Sequence, residues 1–271
     1  ISGLSHGTDV WLGNARDLIV DEGYTLMDVI CTRDDIMTYL IKKGLEPGDA
    51  FKIMEVVRKG KATKDPEKWA SYEEKMRACN VPEWYMESCK KIKYMFPKAH
   101  AVAYVMMAFR IAWFKVNHPL AFYSAYFYRR SKKGGFDAAL MTQGIEAVKA
   151  NIKAIESNEN ATDKDKDLLT TLEVVYEFYL RGFEFAPIDL YKSHATNFVI
   201  EDGKILPPFF SISGLGESAA WNLMEGREGK NFLSVEEIAA ACPKVSKTHI
   251  QMLKDAGAFG EIPETSQVSL F

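Results

Sequence analysis

The chain has 271 residues, 47% of them hydrophobic and 26% charged, with a formal net charge of −3. This length supports one large or two small hydrophobic cores, and the composition excludes a disordered or low-complexity chain. The four cysteines form no C-x-x-C pair, which favours free thiols over a metal site, and we see no signal peptide and no apolar run long enough to cross a bilayer.

The chain begins with Ile1 instead of Met, from which we expect a fragment of a longer protein. Two helices are predicted near its start. The first is an amphipathic run that opens at Thr32 and closes at Gly44, and the second begins at Pro47. The apolar side of the second helix carries Ala50, Ile53, Met54 and Val57. Residues 63–77 are polar and predict a loop or a short helix.

The second helix ends in a basic cluster that consists of Arg58, Lys59 and Lys61. Cations in the last helical turn stabilise the helix dipole, so capping is the simplest explanation for them. Phosphate binding is the functional alternative.

A helix is predicted over residues 82–93, and a longer one begins at Pro97 and ends at residues 117–119. One face of the longer helix is apolar and consists of Val102, Val105, Met106, Phe109, Ala112, Trp113 and Val116. The opposite side consists of His100, Tyr104, Ile111 and Lys115. This pattern alone predicts a core helix with one buried face and an unusual second face.

Basic residues are concentrated around this helix. Residues 85–133 contain ten lysines and arginines against the single acid Glu87, although the whole chain is acidic. A local excess of positive charge attracts phosphate groups, so the region is a candidate nucleotide or nucleic-acid surface. An ordinary solvated basic face is the alternative.

The second half of the chain begins with an aromatic run at residues 122–128, which we expect in the core more than in a base-stacking surface. Residues 131–135 predict a turn, and two helices follow at 138–157 and 162–180, the second closed by Gly182. Residues 196–200 and 204–206 predict a β-hairpin.

Two glycines separated by one residue lead into a further helix at Gly214, Leu215 and Gly216. A dinucleotide-binding loop would need a third glycine and a strand–helix–strand unit, which the sequence lacks. The pattern instead resembles the hairpin of a helix-hairpin-helix motif, in which backbone N–H groups at a helix start bind a DNA phosphate. Ser246 and Lys247 belong to a degenerate second copy, and a purely structural pair of hairpins is the alternative.

The string MFPKAHAVAYV at residues 95–105, followed by WFKVNHP at 113–119, resembles the fingers signature of C-family bacterial replicative DNA polymerases, in particular the PolC type of DNA polymerase III alpha subunit. The resemblance runs from GLSHGTDVW near the start to QVSLF at the end and implies the C-terminal part of such a protein. It implies a mainly α fold: a helical fingers subdomain followed by a small domain with a β-hairpin and tandem helix-hairpin-helix motifs. The implied borders are fingers at 1–134, a helical connection at 135–185, a duplex-DNA-binding domain at 186–260 and a clamp-binding tail at 261–271.

The resemblance further implies a cytoplasmic DNA-directed DNA polymerase that extends primer-template DNA with dNTPs. Its two Mg²⁺ ions would be held by palm aspartates outside this chain. Here no Asp-x-Asp lies in a predicted strand, and Asp163-Lys164-Asp165 at a helix start is a poor substitute. We therefore expect no catalytic residue and no metal ligand in this chain, which should be inactive alone.

The resemblance assigns roles to particular residues. Arg58, Lys59, Lys61 and Lys98 would contact the nucleotide phosphates, and His100 and Tyr104 would line the nascent base pair. Gln267, Leu270 and Phe271 match a peptide that binds the β sliding clamp, and other replisome subunits are further expected partners. The rival interpretation is a non-catalytic DNA-binding adaptor, which would have no reason to carry the fingers signature.

Overall fold

The computed structural model describes residues 1–266 and divides into two compact units, Ile1–Arg110 and Ile111–Phe271. Helices dominate both units, and the described residues contain one small antiparallel sheet of two strands. The predicted mainly α fold class is thereby confirmed. Each unit has its own hydrophobic core.

The helices of the first unit are α1 Ser2–His6, α2 Arg16–Val20, α3 Arg33–Lys42, α4 Pro47–Arg58, α5 Pro66–Ala78 and α6 Glu83–Lys91, and α7 Lys98–Asn117 crosses the division between the units. The Thr32 backbone N–H donates to Asp35 Oδ2 at 2.7 Å, a capping box that begins α3. All four residues predicted for the apolar side of α4 are buried.

Of the loop or short helix predicted at residues 63–77, the structure has a helix, α5, which at 13 residues is longer than expected. Asp65 caps it by accepting from the Lys68 N–H at 3.2 Å, and Pro66 takes the first helical position. Its buried residues Trp69, Tyr72 and Met76 follow helical spacing, but many charged neighbours conceal this stripe in the sequence.

One of those charged neighbours, Glu73, is itself buried. Its carboxylate accepts from Trp69 Nε1 at 2.7 Å and pairs with Lys90 Nζ on α6 at 2.6 Å. Burial alone would raise the pKa of Glu73, but the hydrogen bonds from Lys90 and Trp69 outweigh it and lower the pKa. The carboxylate therefore stays ionised and joins α5 to α6.

The second unit contains α8 Pro119–Ser131, α9 Ala138–Met141, α10 Ile145–Glu156, α11 Asp163–Leu180, β1 Val199–Glu201, β2 Lys204–Leu206, α12 Glu217–Gly226, α13 Val235–Ala241 and α14 Lys247–Asp255. The aromatic run supplies core residues as predicted, since Tyr123 and Phe127 are fully buried. The single helix predicted over 138–157 is divided into α9 and α10, because Gly144 has a φ of +94°.

The predicted β-hairpin is present. Val199 pairs with Leu206 and Glu201 with Lys204, across a two-residue turn. Asp202 and Gly203 both have positive φ, at 50° and 76°, as such a turn requires.

The long helix α7 differs most from its prediction. None of its residues is buried, so the expected buried face was wrong. Phe109 is 75% exposed and Val116 is 72% exposed. The statement that no segment could cross a bilayer was also wrong, since α7 is long and apolar enough by length and composition. One such helix is only weak evidence for a membrane protein, because the core helices of soluble proteins have the same composition. A helix that is apolar on all sides is normally buried by other parts of a protein or by a membrane.

Candidate nucleic-acid interface

The basic end of α4 is organised by one carboxylate, that of Glu55. Arg58 Nη2 donates to Glu55 Oε2 at 2.9 Å, and Lys59 Nζ lies 2.8 Å from the same oxygen. Arg33 Nη1 lies 3.9 Å from Oε1. The hydrogen bonds from Arg58, and then from Lys59, lower the pKa of Glu55 to about 2. The ionised Glu55 carboxylate thus pairs with three cations, so this cluster keeps a net positive charge. Lys61, three residues after Arg58, is exposed.

The segment that precedes α7 is hydrogen-bonded to this region. The Met95 N–H donates to the Arg58 carbonyl at 3.2 Å, and the Arg33 N–H donates to the Phe96 carbonyl at 3.1 Å. Phe96 therefore lies between the end of α4 and the start of α3.

A ring cluster continues from Phe96 onto α7 and consists of His6, Phe96, His100 and Tyr104. Phe96 stacks on His100 with centroids 4.2 Å apart and planes at 15°. Tyr104 lies 4.6 Å from His100 and meets His6 edge-on at 5.0 Å. Tyr104 is 56% exposed. Sequence reasoning gave no role to His6 or Phe96 individually, although both lie in strings that carry the family resemblance.

Lys98 is oriented differently from the ring cluster. Its backbone N–H donates to Asp34 Oδ2 at 2.6 Å, and its Nζ lies 3.4 Å from Asp35 Oδ1 at the start of α3. Two residues along an α-helix are roughly 200° apart, so Lys98 and His100 lie on nearly opposite sides of α7. The structure thus brings His100 and Tyr104 together and leaves Lys98 beside acids.

The first hairpin of the second unit runs from Ile212 to Gly216. The Leu215 N–H donates to the Ile212 carbonyl at 3.0 Å, and the Gly216 carbonyl accepts from Ala220 at 3.0 Å as α12 begins. Leu215 is buried and anchors the hairpin, and Gly214 and Gly216 on either side of it are exposed. Gly214 has a φ of +93°, which favours glycine.

The second hairpin runs from Cys242 to Ser246 and repeats the first. The Val245 N–H donates to the Cys242 carbonyl at 2.9 Å, and the Ser246 carbonyl accepts from Ile250 at 3.0 Å. Val245 is buried in the position that Leu215 takes in the first hairpin. Lys247 is exposed at the start of α14.

The two hairpins contact each other reciprocally. Asn222 Oδ1 on α12 accepts from the Lys244 N–H of the second hairpin at 2.9 Å. Met252 on α14 borders Gly214 of the first hairpin, where an added Cβ would lie 2.8 Å from its methyl group. Asn222 and Met252 occupy the same position in the two repeats, as do Gly214 and Lys244. The hairpins therefore form a tandem pair with approximate two-fold symmetry.

The starts of the two following helices differ in chemistry. Gly216 provides no side-chain cap, and an added Cβ there would meet nothing within 4 Å. Ser246 instead forms a capping box with His249, whose Nδ1 accepts from the Ser246 N–H at 3.3 Å. Lys132 Nζ lies 2.8 Å from the Glu217 carboxylate and is the main cause of its lowered pKa. At the start of its helix the first hairpin therefore presents uncovered backbone at Gly216, whereas the second presents the side chains of Ser246 and His249.

Within residues 1–266 no group of three His, Cys, Asp or Glu side chains could hold a metal ion. Asp165 instead belongs to the capping box with Thr162 that starts α11. The predicted clamp-binding residues Gln267, Leu270 and Phe271 lie outside the described part of the chain.

Two family models match the sequence. Residues 1–80 match the bacterial DNA polymerase III alpha subunit finger domain, and residues 182–268 match the helix-hairpin-helix motif. The predicted domain borders at 134, 185 and 260 stay predictions.

Curated relatives match over the whole chain. A DNA polymerase III PolC-type of Bacillus cereus is 52% identical over 272 residues, one of Streptococcus thermophilus 52% over 275, and one of Thermotoga petrophila 51% over 272. Each alignment covers 100% of this chain but only 18%, 19% and 19% of these relatives. The chain therefore spans about a fifth of their length.

Proposed function

The chain belongs to the PolC type of bacterial DNA polymerase III, and we propose that it gives the intact polymerase its surfaces for duplex DNA and for the incoming dNTP. The intact enzyme would be a cytoplasmic, template-directed DNA polymerase acting on primer-template DNA. As the family resemblance implies, any Mg²⁺ of that reaction would be held by palm aspartates outside this chain.

The proposal of duplex binding rests on one observation, the pair of hairpins that contact each other reciprocally. Gly214 and Gly216 would offer backbone N–H groups to one phosphate, whereas the Leu215 N–H already donates to the Ile212 carbonyl and Leu215 would only anchor the loop. Ser246 and Lys247 would bind another phosphate. Because reciprocal contacts join the two hairpins, they would engage the duplex together, and backbone contacts would read no base edges.

Gly216→Val in the 271-residue chain tests duplex binding. The valine side chain would block backbone approach, so we expect duplex affinity to fall at least tenfold in a salt titration. About three phosphate contacts predict a slope of log K against log salt near −3 for the unsubstituted chain. Gly216→Ala is the matched control with an intermediate loss.

Both variants should keep the melting temperature of the unsubstituted chain, because the space beside Gly216 is open. Unchanged affinity in the valine variant, or binding that depends strongly on base sequence, would contradict the proposal.

Nucleotide binding is the second surface, and the ring cluster beside the basic end of α4 favours it. His100 and Tyr104 would line the nascent base pair, and Arg58, Lys59, Lys61 and Lys98 would attract the triphosphate. An adaptor that only tethers a partner to DNA would need neither feature, so we favour the polymerase over the adaptor.

The remaining partners follow from the sequence of the tail. Gln267, Leu270 and Phe271 would bind the β sliding clamp, which would keep the polymerase on DNA. Other replisome subunits would join the same assembly.

A further inference from the structure

We propose that Lys132, which follows α8 directly, binds a phosphate of the DNA duplex at the first hairpin, an inference that rests on the proposed binding of duplex DNA by the tandem hairpins. Lys132 lies 85 positions before Glu217, the first residue of α12, yet the fold brings the two side chains together. The sequence alone gave Lys132 no individual role, because nothing in it shows that the end of α8 lies beside the hairpin.

The two hairpins carry different charges at equivalent positions. The second has Lys244 in its loop and Lys247 as the first residue of α14. In the first repeat these positions hold Gly214 and Glu217, so residues 208–220 contain one acid and no base. A negative charge at the start of α12 repels a phosphate. The first hairpin therefore needs a cation from another part of the chain.

Lys132 supplies that cation. Its Nζ lies 2.8 Å from Glu217 Oε2, directly after the first hairpin. The same ammonium group lies over the ring of Phe210, 5.2 Å from the centroid, and over the ring of Tyr128 at 5.7 Å. A cation over the face of an aromatic ring is attracted to it, so these contacts fix the position of the charge. Lys132 thus places a positive charge where the second repeat has Lys247.

Glu217 competes with the phosphate for Lys132. The two side chains are 47% and 31% exposed, so the carboxylate can turn into solvent and the ammonium group is accessible. An exposed ion pair stabilises a fold only weakly, whereas a lysine that neutralises a DNA phosphate releases a counterion. On DNA binding, Lys132 therefore exchanges Glu217 for the phosphate that the N–H groups of Gly214 and Gly216 bind.

Binding of a short duplex DNA of mixed sequence to the 271-residue chain, measured by fluorescence anisotropy over a range of salt concentrations, tests the role of Lys132. All compared chains carry Glu217→Gln, which removes the competing charge and keeps an acceptor for the side chain of Trp221. In this background we expect Lys132→Met to lower the affinity at least threefold. The slope of log K against log salt should become shallower by about 0.9, the value for one phosphate. Lys132→Arg keeps the charge and should keep both values.

Lys204→Met in the same background is the matched control. Lys204 also pairs with a glutamate, since its Nζ lies 2.6 Å from Glu184 Oε2, but it lies on β2 and outside both hairpins. We expect its loss to leave the affinity and the slope unchanged. An unchanged slope in the Lys132→Met chain would mean that Lys132 only neutralises Glu217, and an equal change in the Lys204→Met chain would mean a general effect of net charge. Either result would overturn the proposal.

Gly216→Val reports separately on the proposed function. Weaker duplex binding in that variant, together with no effect of Lys132→Met, would overturn the role of Lys132 alone. Unchanged duplex binding in both variants would remove the phosphate site from the first hairpin and with it the proposed function of this hairpin.

Discussion

The Tyr104 side chain is exposed, but neighbouring rings hold it in place. More than half of its surface is accessible, yet edge contacts with His6 and the tilted contact with His100 limit its rotation. Aromatic side chains offer a large apolar face at a small entropic cost, and stacking on a base contributes ~1–3 kcal/mol. A pre-arranged ring of this kind suits the transient contact with a nucleotide that is replaced at every step of synthesis.

Tyr104→Ala in the intact polymerase should therefore lower kcat/KM for single-nucleotide incorporation by roughly tenfold, since ~1.4 kcal/mol corresponds to that factor. Tyr104→Phe keeps the ring and should keep the activity. Lys98→Ala should also lower kcat/KM by roughly tenfold or more if Lys98 leaves Asp35 to bind phosphate, a contact of ~1.5–3 kcal/mol. Unchanged kinetics in both alanine variants would remove the nucleotide assignment from α7.

The contacts of His194 predict that the stability of the second unit depends on pH. Its Nδ1 accepts from the Thr196 and Asn197 N–H groups, each at 3.0 Å, so the ring must stay neutral in the folded state. Burial, and then the charge of Arg227, lower its pKa in the folded state. The unfolded chain consequently binds the proton more readily, and stability is lost as pH falls through about 6.5 towards the lower folded pKa.

Unfolding of the 271-residue chain by denaturant between pH 7.5 and 5.5 measures this effect. We expect the free energy of unfolding to decrease as pH falls across this window. His194→Asn keeps an acceptor near the position of Nδ1 but cannot titrate, so its free energy of unfolding should vary less. An equal decrease in the asparagine variant would assign the pH dependence to other groups.

The first hairpin depends on its backbone conformation at Gly214. With φ at +93°, an alanine there should cost roughly 1–3 kcal/mol of stability. The Met252 methyl group that a Cβ would meet is the end of a flexible side chain, so the close contact should add little. Calorimetry of Gly214→Ala should show a lower melting temperature for the second unit, and Met252→Ala should not restore it.

Gly216→Ala is the internal comparison, because this glycine has a φ of −68° and open space around it. Equal melting temperatures for the two alanine variants would mean that the positive φ does not limit the hairpin. Full rescue by Met252→Ala would instead make the steric contact the main cost.

Patterns of neighbouring residues correctly predicted the elements that depend on interactions close in sequence. Thr32 and Pro47 begin their helices as their capping chemistry requires, and the apolar side of α4 is buried in full. The two hairpins were also visible, because Gly214 and the repeated apolar positions are local features. The fold class followed from these signals together with the resemblance.

What the sequence concealed depends on contacts between distant residues. The stripe of α5 is hidden because Glu73 is buried and satisfied by Lys90, a partner 17 positions away. One face of α7 was predicted to be buried in the core, but none of the residues of this helix is buried. Likewise, the pairing of Lys98 with Asp35 and the contact of His6 with Tyr104 join residues that are far apart in sequence.

The chain as a whole carries surfaces that suit an incomplete part of a larger enzyme. Its first unit has a basic cluster, and its second unit has a tandem hairpin pair. For the basic cluster we propose a nucleotide as the partner, and for the hairpin pair we propose duplex DNA. The chain spans only about a fifth of the length of its PolC-type relatives, so the proposed binding functions would occupy a small part of the intact polymerase.

The last five residues form the proposed clamp-binding peptide. Leu270 and Phe271 are apolar side chains at the very end of this sequence, and Gln267 precedes them at the spacing of a clamp-binding peptide. Burying two such side chains in a pocket contributes roughly 4–6 kcal/mol. With a few hydrogen bonds, and after the cost of ordering the tail, the affinity should be near micromolar, about −8 kcal/mol. Such binding suffices when DNA already holds polymerase and clamp together.

Replacing Leu270 and Phe271 by alanine in the intact polymerase should leave extension of short primed templates unchanged and abolish clamp-dependent processivity on long templates. Val268→Ala with Ser269→Ala is the matched control, since these positions lie between the three proposed anchors and should be neutral. Surface plasmon resonance with immobilised clamp should show at least a tenfold loss of affinity only in the first variant. Clamp binding that survives the loss of both anchors would assign the interaction to another part of the polymerase.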